Sequence, residues 1–364
     1  MTVNSSRSRA LVRKLGALAA VCVGCIGSLY FQACGGFEPP EKAKRAVNAG
    51  ACAAPPGEFP PAQCNSSRNQ CTELGCPLAE SCGTDSACLA FAKNTSSEKM
   101  QFRLRSLYVA TPEILSRDFV QINVVTKNID LKQAQCAELG TGSFNWLLEF
   151  DLANNVLRTG GAPPVNDPIS DGYCFYYGAP NGFAGGAIGP STFTTTREGN
   201  RFSTNTVEKF FVPIFINGNT KNVIVLPISD ARFSEIEVSD DARCIGSFNA
   251  RGIQSSNCVE DRERCQKWNT AGTIGGYVTL EDADSVFVEL LDSSLCAVLT
   301  RDRGNDNRCR RENGKIAAPG DYCSTTKSPG GCQDSYWLAA TFAASAVKIH
   351  DGAKVKECQP PPAR

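Results

Sequence analysis

The sequence predicts a mainly β protein: an antiparallel β-sandwich with one or two helices, preceded by a small disulfide-rich module. Three observations carry that expectation. Apolar and polar residues alternate at period two in several runs, the mark of half-buried strands. Stretches rich in Gly and Pro punctuate those runs, as turns do in sandwiches. The chain has 19 cysteines in 364 residues, and six of them crowd between Cys52 and Cys88.

At the N-terminus a basic cluster, Arg7, Arg9, Arg13 and Lys14, precedes a stretch from Leu15 to Phe37 without a charge. That is the layout of a secretory signal. The apolar run ends in Phe31-Gln32-Ala33-Cys34-Gly35-Gly36. This segment resembles the lipobox of bacterial lipoproteins, with Phe31 at −3, Ala33 at −1 and Cys34 at +1. The family usually has Leu at −3 and a small residue at −2, where this chain has Phe31 and Gln32. The resemblance implies a signal peptide over 1–33 and lipid attachment at Cys34. It also implies a cell-envelope address, with Gly35 at +2 pointing to the outer membrane. Three alternatives stay open: modification at Cys25, ordinary signal-peptidase cleavage, and an uncleaved helix, for which the uncharged stretch is just long enough. All of them put the body outside the cytoplasm.

Residues 34–51 read as a flexible tether, because Gly35-Gly36 and Pro39-Pro40 mix with charges of both signs. Residues 52–92 form the cysteine-rich module, with Cys52, Cys64, Cys71, Cys76, Cys82 and Cys88 and few large apolar residues. Bridges there would replace a core by restricting the unfolded chain, and six cysteines allow about 15 connectivities. The remaining cysteines are Cys136, Cys174, Cys244, Cys258, Cys265, Cys296, Cys309, Cys323, Cys332 and Cys358. Setting aside Cys22 and Cys25 of the leader and Cys34 of the lipobox leaves 16 cysteines, an even number. In an oxidising compartment disulfides are the default. A zinc site is disfavoured, since Cys-x-x-Cys is confined to the leader and His350 is the one histidine.

The body spans 100–358. Val120, Ile122 and Val124 alternate with polar residues, as do Phe144, Trp146, Leu148, Phe150 and Leu152, and Phe210, Val212, Ile214 and Ile216. Each run predicts a half-buried strand. Asn222 to Ile228 is apolar on both faces and suits an inner strand ending near Pro227. Gly160 to Pro164 and Gly178 to Pro190 predict turns. Leu280, Ala283, Phe287, Leu290, Ser294 and Val298 fall at helical spacing, and Thr279 three before Asp282 supplies a start signal. A helix is expected from Thr279 to Thr300, with a break at Asp292-Ser293-Ser294. A shorter helix is expected from Glu260 to Trp268. Tyr336 to Ile349 reads as a closing strand, and 301–332 as a surface loop held by disulfides.

Charge narrows the function. Basic and acidic residues number 37 each; without the leader's four basic residues the balance is 33 against 37, a net of −4. An acidic body lacks the electrostatic footprint for nucleic acid, so no nucleic-acid partner is expected. Gly-x-Ser-x-Gly, His-Glu-x-x-His and the P-loop are all absent from the sequence. No cofactor, metal or catalytic residue is assigned. His350 reads as a surface histidine. The Ser-x-x-Lys matches at Ser324–Lys327 and Ser96–Lys99 read as chance, and the glycine-rich run 182–189 as a surface loop. Asp240/Asp241, Asp282/Asp284 and Asp302/Asp306 read as solvated turns and helix ends rather than calcium ligands. Tyr173, Phe175 and Tyr177 would share one strand face, either a ligand-stacking platform for a sugar or, more in keeping with aromatic burial, core. The resulting expectation is a lipid-anchored, non-enzymatic envelope protein with a structural or binding role. Its partners would be the membrane, through the lipid, and an envelope protein or glycan. The alternatives are a carbohydrate- or protein-binding module and an extracytoplasmic hydrolase using paired carboxylates.

Overall fold

The computed structural model describes residues 90–94, 98–133, 138–180, 186–215, 223–248 and 267–359. The leader, the tether, the six cysteines from Cys52 to Cys88, and Cys136, Cys258 and Cys265 lie outside the described residues.

Eleven strands form one antiparallel sheet. They are β1 (Lys99–Thr111), β2 (Asn145–Asp151), β3 (Val156–Ala162), β4 (Ser191–Glu198), β5 (Arg201–Thr204), β6 (Val207–Phe215), β7 (Val223–Ser234), β8 (Ile236–Glu237), β9 (Cys244–Ile245), β10 (Gly272–Thr279) and β11 (Ser335–Ala346). Their order is β8-β5-β4-β3-β2-β1-β11-β10-β7-β6, and β9 pairs with β11 beyond the end of β10. The protein is mainly β, as its alternating runs predict. Its two layers belong to one sheet that curls until its arms face each other. Thr204 of β5 accepts from Phe233 N–H of β7 at 2.9 Å, and Glu237 N–H of β8 donates to Ala271 O, just before β10, at 2.7 Å.

The core sits between the arms. Phe102, Trp146, Phe150, Phe193, Phe210, Phe233 and Phe342 are buried there. Phe233 lies at the centre, with ring centroids 5.3 Å from Phe193, 6.0 Å from Trp146, 6.1 Å from Phe342 and 6.4 Å from Phe210. Edge-on pairs at such distances add to the area term of burial.

The strands predicted at Phe144–Leu152, Phe210–Ile216 and Asn222–Ile228 are β2, β6 and β7, with Ile216 and Asn222 outside the described residues. β2 is buried on both faces rather than one. Its Trp146 face meets the core, while Leu147 packs with Phe91, Tyr173, Phe175 and Val347. β7 is internal but does not stop at Pro227; that residue pairs with Phe211 and the strand runs on to Ser234. The strand at Tyr336–Ile349 is β11, which lies at the centre of the sheet between β1 and β10.

Four expectations are corrected. Val120–Val124 is helical: a turn at Asp118–Val120 runs into a π-helical segment Gln121–Thr126 and a turn Lys127–Ile129. One side chain explains why no strand is needed there. Gln121 accepts from Val109 N–H at 2.9 Å and donates to Leu107 O at 2.8 Å, so its amide satisfies the free edge of β1 as a strand would. Gly160 and Gly161 are not in a turn but inside β3. A Cβ at Gly161 would come within 2.4 Å of Pro213 on β6, so the missing side chain lets the two arms close. The long helix from Thr279 to Thr300 is two short ones, α1 (Leu280–Ser285) and α2 (Leu295–Thr300). A small hairpin, Phe287–Val288 with Ser293–Ser294, separates them. β-branched Val286 and Val288 favour extended backbone, and Asp292 turns left-handed at φ 45°. The start signal is real: Thr279 Oγ1 accepts from Asp282 N–H at 3.0 Å. Trp268, expected at the end of a helix, is in a two-residue strand paired with Phe248; residues 260–266 lie outside the described residues.

All seven described cysteines are disulfide-bonded. Cys174 joins Cys358, Cys296 joins Cys309 and Cys323 joins Cys332, with Cα separations of 5.9, 5.7 and 5.0 Å, inside the usual range. Among the described residues, no helix is long and apolar enough to cross a membrane.

Candidate functional site

A surface cleft of about 610 Å³ lies beside the Cys174–Cys358 bridge. Two segments build it. Residues 163–172 follow β3, and 348–355 follow β11. Sequence proximity does not unite them; backbone pairing does. Tyr173 N–H donates to Lys348 O and His350 N–H donates to Tyr173 O, both at 2.8 Å, so the two segments lie side by side in parallel. Gly172, at φ 70°, makes the approach feasible: a Cβ there would sit 2.9 Å from Lys348 O. The disulfide ties Cys174 of the first segment to Cys358, just beyond the second.

Asn166, Asp171, Lys348, His350, Asp351 and Lys354 bring polar groups to the cleft. His350 Nδ1 accepts from Gly352 N–H at 3.1 Å, which leaves Nε2 carrying the proton of the neutral ring. Asp351 accepts from Ala353 N–H and Asp171 from Asp167 N–H, both at 3.0 Å. Each carboxylate thus has one oxygen fixed by its own turn and one left over among the described residues. On the same segment Asp167, exposed, accepts from Ser170 and from Ile169 N–H, which holds its carboxyl below the usual carboxylate range. Pro163, Pro164, Val165 and Val355 supply apolar wall. Polar groups converging on a partly apolar concave wall of this size are what small-molecule sites have in common.

His350 has no serine or free thiol among the lining residues, and Cys174 is oxidised. A serine or cysteine nucleophile activated by histidine needs the two side chains within hydrogen-bond reach. Asp171 and Asp351 are solvent-exposed, not set in the apolar wall that a buried general acid uses.

The structure separates the other sequence candidates. Tyr173 is fully buried, Phe175 nearly so and Tyr177 half-buried, with Tyr176 in a different apolar cluster. The three rings belong to one apolar cluster with Leu147 rather than presenting a stack to solvent. Ser324 donates to Asp334 at 2.7 Å, while Lys327 reaches away to Asp230 at 2.5 Å and the Tyr277 hydroxyl at 2.9 Å. Those two acceptors raise the Lys327 ammonium above its ordinary range, so it is no base for Ser324. Of the glycine run, residues 182–185 lie outside the described residues; Gly178 and Ile188 bridge across the loop. Of Ser96–Lys99, Ser96 and Ser97 also lie outside.

The acidic pairs are engaged by donors rather than grouped around a point. Asp282 pairs with Lys209 at 2.9 Å, Asp302 with Arg310 at 3.1 Å, and Asp240 accepts from Asn200 at 2.6 Å. Asp284 is the one buried carboxylate of its group. It accepts from Cys309 N–H and Ser294 Oγ, each at 2.8 Å, and from Arg311 at 2.9 Å. Burial alone would raise Asp284, but those bonds outweigh it and hold the carboxyl below the ordinary value. Asp284 with Cys296 and Cys309, and Asp334 with Cys323 and Cys332, bring three ligand-type atoms together. In both groups the sulfurs are bonded to each other, which removes them as metal ligands.

A second, smaller hollow of about 80 Å³ opens at one end of the curled sheet among Leu107, Val109, Leu115, Leu226, Ile274 and Leu338. Against known protein families, characterised proteins and solved structures alike, the chain shows no match.

Proposed function

We propose that this chain is a lipid-anchored cell-envelope protein, tethered to the outer membrane through Cys34, whose disulfide-stapled β body has a binding role rather than an enzymatic one. The observation that supports this reading most is the oxidation of every described cysteine. Disulfides persist in oxidising compartments, in keeping with a leader that resembles a lipoprotein signal. The lipid supplies the anchor: each buried methylene contributes about 0.8 kcal/mol, and stable attachment takes more than one acyl chain. Residues 34–51 carry the body away from the bilayer. The cleft beside Cys174–Cys358, with its converging polar groups and without a serine or free thiol in its lining, supports the binding half of the role.

Radiolabelled palmitate incorporation in a bacterial host tests the anchor. The native chain takes up label and Cys34→Ala does not; equal labelling of the two ends the lipid assignment. Alkylation of the unreduced, denatured protein tests the compartment. Fewer than one reactive thiol per exported molecule is expected, and several would overturn the oxidised framework.

A further inference from the structure

The charge pattern of the cleft narrows what it holds. Lys348 and Lys354 are exposed and form no ion pair among the described residues. Asp171 and Asp351, also exposed, each keep one carboxylate oxygen unbonded among the described residues. His350 contributes Nε2–H, and Asn166 a donor and an acceptor. Two ammonium groups and two carboxylates give the lining no net charge. Donors and acceptors are both present in it.

We propose that this cleft binds a neutral, hydroxyl-rich ligand: a mono- or disaccharide without an ionised group. The proposal rests on the reading of the cleft as a binding site. A simple anion gains from the two lysines but meets the two carboxylates, and a simple cation meets the converse. Hydroxyl groups donate and accept at once, so they satisfy carboxylate oxygens and ammonium hydrogens in the same site. The C–H faces of a sugar ring match Pro163, Pro164, Val165 and Val355. About 610 Å³ accommodates one or two rings. A site built to bond hydroxyls also discriminates strongly against analogues that lack them, because its polar groups are then left unpaired.

The test uses the full lipidated chain purified in detergent, with saturation-transfer NMR and titration calorimetry. The probes are glucose, galactose and N-acetylglucosamine as neutral sugars, glucuronate as an anion, and glycine as a zwitterion. Binding by at least one neutral sugar is expected, with roughly tenfold weaker affinity in Asp351→Ala and in Lys354→Ala. Tm is unchanged in both variants, because both side chains are on the surface. Binding of glucuronate or glycine alone overturns the ligand class and leaves the cleft as a binding site. No binding of any probe overturns both readings of the cleft. Sugar binding that neither variant weakens places the sugar elsewhere and overturns this site.

Discussion

The curled sheet and the lobe formed by residues 280–334 hold together by different physics. In the sheet, rings meet rings: Phe233 touches four other aromatic side chains, all buried. The lobe between β10 and β11 has a small apolar cluster of Val278, Leu280, Ala283, Val286, Leu295 and Leu299. Its order comes from two carboxylates and two short-range disulfides. Asp284 gathers Ser294, Cys309 and Arg311 around the Cys296–Cys309 bridge. Asp334 accepts from the N–H and hydroxyl of Ser324 beside Cys323–Cys332. A segment too short of apolar area to fund a core substitutes charge-assisted hydrogen bonds and covalent restriction of the unfolded chain.

Substitutions that strike one region and not the other sharpen that contrast. Phe233→Ala should have the largest effect, about 4 kcal/mol of global stability, from lost burial and a cavity at the aromatic centre; a urea midpoint measures it. Asp284→Ala should cost about 3 kcal/mol, because it leaves buried donors without an acceptor. Hydrogen exchange should localise the damage to 280–316 and spare β1 and β2; equal loss of protection in both regions would show that the lobe is not separately held. Replacing Cys323 and Cys332 together by Ser should cost about 2–3 kcal/mol by loop entropy, again with faster exchange confined to the lobe. Thr279→Ala, which removes the cap of α1, should cost about 1 kcal/mol.

Acid should reveal the same division. Burial would raise Asp334, but bonds from Ser324 and Ser335 outweigh it and hold the carboxyl below its ordinary value, as happens at Asp284. A carboxyl lowered by folding stabilises fully above its unfolded value of about 4 and loses that contribution as the pH falls through the folded value. Exchange in the lobe should therefore rise as the pH falls below about 4 while the aromatic core stays protected. A lobe indifferent to acid would remove the carboxylates from the account.

Much of the fold was legible because period-two alternation in β2, β6 and β11 reflects the pleat itself. The cap at Thr279 was legible too, since it needs only residues three apart. Other features hid for reasons of range. β1, one of the two central strands, carries Arg103 and Arg105 where a buried strand should be apolar. Arg103 is nonetheless fully buried, donating to Asn145 at 2.7 Å, Leu104 O at 2.8 Å and Ile129 O at 2.6 Å, partners up to 42 residues away. The helical spacing over 280–300 was a coincidence of composition, which β-branched Val286 and Val288 and the demands of Asp284 overrode. Of the cleft, the sequence offered only His350 without company; Asp171 and Lys354 join it through a pairing of two distant segments.

By itself the sequence determined the wealth of cysteines, the β class and the positions of several strands. Each is set by local composition or by periodicities spanning a few residues. Only the tertiary structure decided that one sheet supplies both layers, which cysteines pair, and which polar side chains meet at the cleft. Those outcomes depend on where the chain returns after a hundred residues or more, and on how closely two backbones approach when a glycine such as Gly161 or Gly172 permits it.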